Sequence, residues 1–308
     1  MKCSDYDVIL LVIASRGGCA CGQCGCCNRG HRNTTEYDEF VRVYWSRFIR
    51  YLKDHTHRVK VFLVYGSDDV SDLPLREEDV LRHEDAREGL GEGITQKTMW
   101  ALGHVLKQFE FRHVVRTNLS SFFVLEHLIN TSRTLDATGT YAGVDTRDAC
   151  NHAYIAGSSI WMSADVANTL VLRCALNADG PDDVSIGVAL EDTPRKRLPC
   201  MAVTKPRKFC IIDYADNSEL YVWSGTPPRS VKSKWETFKD VGELVKCIMD
   251  TQSYHIRLKN EVDRGVDISI ATYLTDRLYP DAAPCQHIDD PGDLLQDPEL
   301  SSLYAASR

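Results

Sequence analysis

Two adjacent carboxylates, Asp182 and Asp183, follow Gly180 and Pro181 and open the stretch VSIGVAL, which reads as a turn running into a helix. A helix N-terminus favours negative charge. One carboxylate there can take a proton from an attacking hydroxyl while its neighbour assists; Asp182 is equally suited to be a plain N-cap. A second group lies late in the chain, in YHIRLKNEVDRGVD (residues 254–267), where His255, Arg257 and Lys259 alternate and Arg264 follows. A strand would aim the first three to one side, where they form either a cationic grip on a departing anion or a solvated charged face. A third group, Cys19, Cys21, Cys24, Cys26 and Cys27, contains CxxC spacing and two CxC pairs with His31 beyond. Structural zinc usually takes two well-separated ligand pairs. This local, glycine-flanked cluster leaves open a soft-metal site, disulfides, or an insertion lying beside another site.

Elements must position these groups. DVILLVIAS and VKVFLVYGS are continuous apolar runs of strand length, the pattern of parallel strands covered on both faces. Between them, Tyr37 to Asp54 carries Phe40, Val41, Tyr44, Phe48, Ile49 and Leu52 at helical spacing. Strand, helix and strand then make a right-handed crossover. The carboxylate-rich Asp68 to Glu92 reads as exposed loop, because so many charges are costly to bury. A helix opened by Thr95 follows, then the strand FRHVVRTNLSS, the helix SFFVLEHLINTS, TYAGVDTRD, the apolar AYIAGSSIWMS and the helix SADVANTLVLRCAL. GLGEG (Gly89 to Gly93) resembles a phosphate cradle, but no strand precedes it and it reads as a hinge-like loop. Past Pro206, short strands (KFCIIDY, ELYVWSG) and helices over 235–250 and 266–279 are expected, then a Pro- and Asp-rich tail.

The chain has 308 residues, 43% of them hydrophobic, and a net charge of -8, which disfavours a nucleic-acid binder lacking a concentrated basic face. The run Val8 to Ala14 is too short to span a membrane and is preceded by acidic residues, so no membrane span and a cytoplasmic setting are expected, with the 12 cysteines reduced.

Four stretches in order, EGITQKTMWAL (92–102), HVVRTNLSSFFVL (113–125), AYIAGSSIWMSADVANTL (153–170) and PDDVSIGVAL (181–190), resemble the beta-1,3-galactosyltransferase-like glycosyltransferases. That group includes fringe-type enzymes, and the likeness is strongest to members in large DNA viruses. The resemblance implies an α/β fold of GT-A type: a mostly parallel central sheet flanked by helices, a Rossmann-like nucleotide-binding half, an acceptor half and a C-terminal helical extension. On this reading residues 1–215 are the core, 216–283 close the donor site and 284–308 are the tail. The implied activity is transfer of a galactose-like hexose, with inversion, from a nucleoside-diphosphate sugar, UDP-linked by expectation, to a glycan hydroxyl.

By that resemblance Asp183 is the base and Asp182 its helper. Ser15, Arg16, Lys97, Arg116, Thr117, Asn118, Ser120, His255, Arg257, Lys259 and Arg264 bind the donor, with Tyr65 and Gly66 lining the same cleft. Gly157, Ser158 and Trp161 form the sugar or acceptor pocket, Trp161 being equally readable as core. One departure stands out: where the family carries an Asp-x-Asp element, this chain has Arg116-Thr117-Asn118-Leu119-Ser120. Hydroxyls and an amide are poor ligands for a hard Mn or Mg ion, so basic residues are expected to neutralise the leaving group. Two other readings are a catalytically silent carbohydrate- or nucleotide-binding protein on the same fold, and a thiolate metal-binding protein.

Overall fold

The computed structural model describes residues 3–16, 35–86, 92–147, 152–173, 182–205, 208–212, 221–222, 234–237, 241–250, 253–258 and 264–280. The protein is α/β, with a mostly parallel central sheet flanked by helices, an arrangement compatible with a Rossmann-like fold. β1 (Cys3–Ile13) lies in the middle, parallel to β2 (Val59–Tyr65) on one side and β4 (Phe109–Asn118) on the other, and β3 (Val80–Arg82) extends the β2 edge. β7 (Ala153–Ser163) pairs antiparallel with both β4 and β6 (Tyr141–Arg147). β8 (Arg195–Arg197) and β11 (Tyr221–Val222) lie parallel to β6.

The uninterrupted apolar run of β1 is explained by its place between two cores. Val8, Leu10 and Val12 join one core with Tyr44, Trp45 and Phe48, while Ile9, Leu11 and Ile13 join another with Leu102, Val105 and Leu170. Alternation along a strand sends successive side chains to opposite faces, so a strand covered on both must be apolar throughout. Each such side chain contributes about 1.5–3 kcal/mol. The second core is built on α3 (Glu92–Gln108), α5 (Ala164–Leu172) and α6 (Asp182–Ala189).

Opposite them lies a second sheet in the order β12 (Lys234–Thr237), β10 (Lys208–Ile212), β9 (Cys200–Lys205), β13 (His255–Leu258) and β5 (Ser121–Phe123). β13 runs parallel to β9 and antiparallel to β5, so residues late in the chain complete a sheet begun before residue 215. α8 (Arg264–Leu278) leads to Tyr279, whose hydroxyl donates to the Phe123 carbonyl at 2.6 Å and accepts the Leu125 N–H at 3.1 Å, just ahead of α4 (Leu125–Thr134).

Several expectations shift. The helix foreseen over Tyr37 to Asp54 is α1 (Thr35–Phe40), a π-helical turn Val41–Trp45 and α2 (Ser46–His55). The wider turn faces Tyr44 and Trp45 inward, where Trp45 Nε1 donates to the Leu119 carbonyl at 2.8 Å and the Tyr44 hydroxyl accepts the Phe123 N–H at 2.9 Å. The acidic loop is not wholly exposed: Asp79 is buried, accepting from Lys53 Nζ at 2.7 Å and Lys60 Nζ at 2.9 Å, because two ammonium groups compensate its desolvation. Around residue 235 a strand, β12, precedes the helix α7 (Val241–Asp250). Among the described residues no helix is long and apolar enough to cross a membrane.

Candidate functional site

The carboxyl end of β4 is the hub. Arg116 is 4% exposed, and its Nη2 pairs with Asp182 Oδ2 at 2.7 Å while Nη1 donates to the Gly157 carbonyl. The Gly157 N–H donates to Asp183 Oδ2 at 2.8 Å, and Asp183 Oδ1 accepts the Val184 N–H at 3.0 Å. One residue of β7 is therefore held at both its backbone groups, its carbonyl by the guanidinium and its N–H by the second carboxylate. A Cβ on Gly157 would lie 2.8 Å from Arg116 Nη1 and 3.1 Å from Asp183 Oδ2, so a larger residue would have to displace one or both of these side chains.

The helix carrying the carboxylates is held equally close. A Cβ on Gly187 would stand 2.4 Å from Tyr154 Cβ, so α6 rests directly on β7 and delivers Asp183 to Gly157. From α3, Thr98 Oγ1 donates to Asp182 Oδ2 at 3.1 Å. Burial, and then the neighbouring Asp182 charge, raise the Asp183 pKa above the usual carboxylate value, against the pull of Arg116 and the two backbone N–H groups. Asp183 is thus a half-buried carboxylate with strengthened basicity, whereas Asp182 is an ion-pair partner.

Next to them, Thr117 Oγ1 donates to the Ser158 carbonyl at 2.6 Å and Asn118 Nδ2 to the Gly157 carbonyl at 3.3 Å. Asn118 Oδ1 accepts from Ser120 at 3.4 Å and from Ser121 at 3.2 Å, and Ser121 also reaches the Ser158 carbonyl at 3.1 Å. Ser121 lies directly across the sheet from Arg257, and β9 places Ala202 on the other side of that arginine. Arg257 Nη1 is buried without a hydrogen-bond partner among the described residues. Burial, then the Arg264 charge and more weakly that of Arg116, push the Arg257 pKa down to about 10. Arg264 donates to Asp267 Oδ2 at 2.6 Å and to the Leu258 carbonyl at 3.0 Å.

The structure thus brings together Asp182, Asp183, Arg116, Thr117, Asn118, Ser120, Gly157, Ser158, Arg257 and Arg264. Other expectations need correction. Arg16 is clamped by carboxylates, its Nη2 lying 2.7 Å from Asp38 and 2.8 Å from Asp72, and its backbone N–H donating to Asp68 at 2.6 Å. It staples the acidic loop to β1 instead of offering a guanidinium to a donor. Lys97 is fully buried, donating to the Ala14 carbonyl at 2.7 Å, because α3 faces the sheet at that turn. Trp161 is a core residue, 0% exposed and packed edge-on to His113 and Tyr254, so it stacks on no acceptor. His255 is 0% exposed and its pKa is pushed down to about 3 by burial and the Arg257 charge, so it is neutral and not a cation. Its Nδ1 lies 3.1 Å from the buried Cys200 thiol.

Ser15 is half-buried beyond β1, and Tyr65 and Gly66 are buried at the end of β2. Lys259, the cysteine cluster at residues 19–27, His31 and most of GLGEG lie outside the described residues. Thr98, Ser121 and Cys200 escape sequence reading: nothing in their spacing marks them, although Ser121 adjoins a singled-out serine.

A divalent ion does not suit the donor set at the end of β4. Arg116 itself occupies the Asp182 carboxylate, Thr117 Oγ1 and Asn118 Nδ2 are spent on β7 and Asn118 Oδ1 on Ser120 and Ser121, and among the described residues no group of three or more His, Cys, Asp or Glu side chains could hold a metal. In comparison with known proteins, the chain matches no family model and no curated relative.

Proposed function

We propose that this chain is a GT-A type glycosyltransferase that moves a galactose-like hexose, with inversion, from a nucleoside-diphosphate sugar, UDP-linked, to a glycan hydroxyl. The observation that carries the reading is Asp183: a carboxylate of raised basicity, anchored at 2.8 Å on the Gly157 N–H and set beside cations at the carboxyl ends of the strands. In doubly wound α/β sheets ligands bind at those ends.

The residues then have defined tasks. Asp183 takes the proton of the acceptor O–H while that oxygen bonds to the anomeric carbon and the bond to the diphosphate oxygen breaks, its electron pair leaving with the diphosphate. Attack from the face opposite the leaving group inverts the anomeric centre. Arg116 and the Gly157 peptide fix the base, because its correct placement contributes as much as its basicity. Asn118, Ser120, Ser121 and Ser158 supply polar edges for the sugar. No step needs a metal ion.

The test is a panel of nucleotide-sugars screened by thermal stabilisation, since a ligand bound only by the native state raises Tm by mass action. Donor consumption and the anomeric configuration of the product are then followed by proton NMR. The expected result is stabilisation by one donor class, an inverted product, and loss of turnover in Asp183→Ala with uridine diphosphate still bound. Stabilisation with no consumption by the wild type would establish the alternative, a binding protein on the same scaffold.

A further inference from the structure

We propose that Arg257, supported by Arg264 and Arg116, forms a seat for the diphosphate of the nucleotide ligand that works without a divalent cation. The inference deepens the transferase reading and rests on it for the identity of the anion. Its geometric basis is an imbalance of partners. The buried or half-buried cations Arg116, Arg264, Lys60 and Arg47 each have a carboxylate, Asp182 at 2.7 Å, Asp267 at 2.6 Å, Asp79 at 2.9 Å and Asp276 at 2.6 Å, and the fully buried Lys97 donates to the Ala14 carbonyl at 2.7 Å. Arg257 is different. Among the described residues it has no ion-pair partner, its strand neighbours are the small residues Ser121 and Ala202, and Nη1 is buried without any acceptor.

A buried unpaired charge is strongly unfavourable unless something arrives to pair it. A second orphan atom lies on the same strand face, two residues earlier: His255 is fully buried and its Nε2 also lacks a partner. Two unpartnered polar atoms on one face of β13 call for an acceptor-rich ligand. A guanidinium fork matches phosphate oxygens two at a time, and the next cation along, Arg264, is fixed at the start of α8 by Asp267 and the Leu258 carbonyl.

The seat connects to the carboxylates through polar links: Arg257 sits opposite Ser121, Ser121 bonds Asn118 and the Ser158 carbonyl, and Asn118 shares the Gly157 carbonyl with Arg116. The repulsion among Arg257, Arg264 and Arg116, which lowers the affinity of Arg257 for its proton, is relieved when a polyanion enters. A divalent ion would add to that repulsion.

The test is calorimetric titration of the full chain with inorganic pyrophosphate in EDTA, for the wild type, Arg257→Met and Arg257→Lys. Binding is expected in the wild type without metal, at least about tenfold weaker in the Met variant, as for loss of a charged hydrogen-bonding partner, and intermediate in Lys. Arg257→Met is also expected to raise Tm of the free protein by a few degrees, because a buried unpaired charge is replaced by an apolar side chain. Pyrophosphate binding that requires added Mn or Mg, or that is equal in the Met variant, would overturn the seat. Donor consumption in the same buffers separates the two ideas. Consumption that needs metal, with metal-dependent pyrophosphate binding, removes the seat and leaves the transferase. Pyrophosphate binding in EDTA with no nucleotide-sugar consumed leaves the seat and removes the transferase.

Discussion

Arg116 and Asp182 form a buried ion pair, Nη2 to Oδ2 at 2.7 Å with both side chains under a tenth exposed, and the pair ties the end of β4 to the first turn of α6. Removing one partner leaves the other charge buried and uncompensated. Arg116→Met is therefore expected to cost about 3–5 kcal/mol in urea or thermal unfolding, opposite in sign to Arg257→Met. Equal effects from the two arginines would mean that Arg116 is not held in this pair.

Gly187→Ala forces a methyl group to within 2.4 Å of Tyr154 Cβ. Since both the helix and β7 are packed, α6 must lift, costing about 1–3 kcal/mol and drawing Asp183 away from the Gly157 N–H. The expected outcome is a lower melting temperature together with a fall in donor turnover. Gly139→Ala is the contrasting control: a Cβ there meets nothing within 4 Å, though its φ of 66° adds local strain, so turnover should stay near wild type.

Stability should fall on mild acidification. Burial holds the His255 pKa down at about 3 and lowers that of His113, so the unfolded chain, with histidines near 6.5, binds protons that the folded chain refuses. Full stability is present above pH 6.5 and is lost as pH falls toward 3. His255 alone accounts for about 2 kcal/mol between pH 6.5 and pH 5. Denaturant midpoints from pH 8 to 5 check this, and His255→Asn should flatten the slope.

The acidic limb of donor turnover should report Asp183. Because its carboxyl is shifted upward, the rate is expected to rise with pH through an apparent pKa above the ordinary Asp value of 3.8. Removing the Asp182 charge with Asp182→Asn takes away a cause of that shift and should move the limb downward. A limb that does not respond would assign it to another group.

Much of the architecture was legible in the chain because it depends on unbroken patterns. DVILLVIAS and VKVFLVYGS had to be doubly covered strands, and both are. The Asp182-Asp183 pair at a helix start was likewise readable, as was the alternation that puts His255 and Arg257 on one face of β13. The roles of individual polar residues were harder to read, because burial and partners decide them and neither appears in a local pattern. Arg16 looks like an open cation until Asp38 and Asp72, far apart in sequence, close on it. His255 looks like a cation until the surrounding sheet excludes water. The second sheet was also hidden: β5 and β13 are short and lie 132 positions or more apart, as the register His255 to Phe123 shows, and only long-range pairing joins them.

The measurement that bears most directly on the central claim is release of nucleoside diphosphate from the stabilising donor, in EDTA, by the wild type and by Asp183→Asn, which preserves shape and an acceptor for the Gly157 N–H. The account predicts turnover in the wild type and a rate lower by about 10²–10⁴ in the variant, with pyrophosphate affinity unchanged. Equal rates in the two proteins would contradict it.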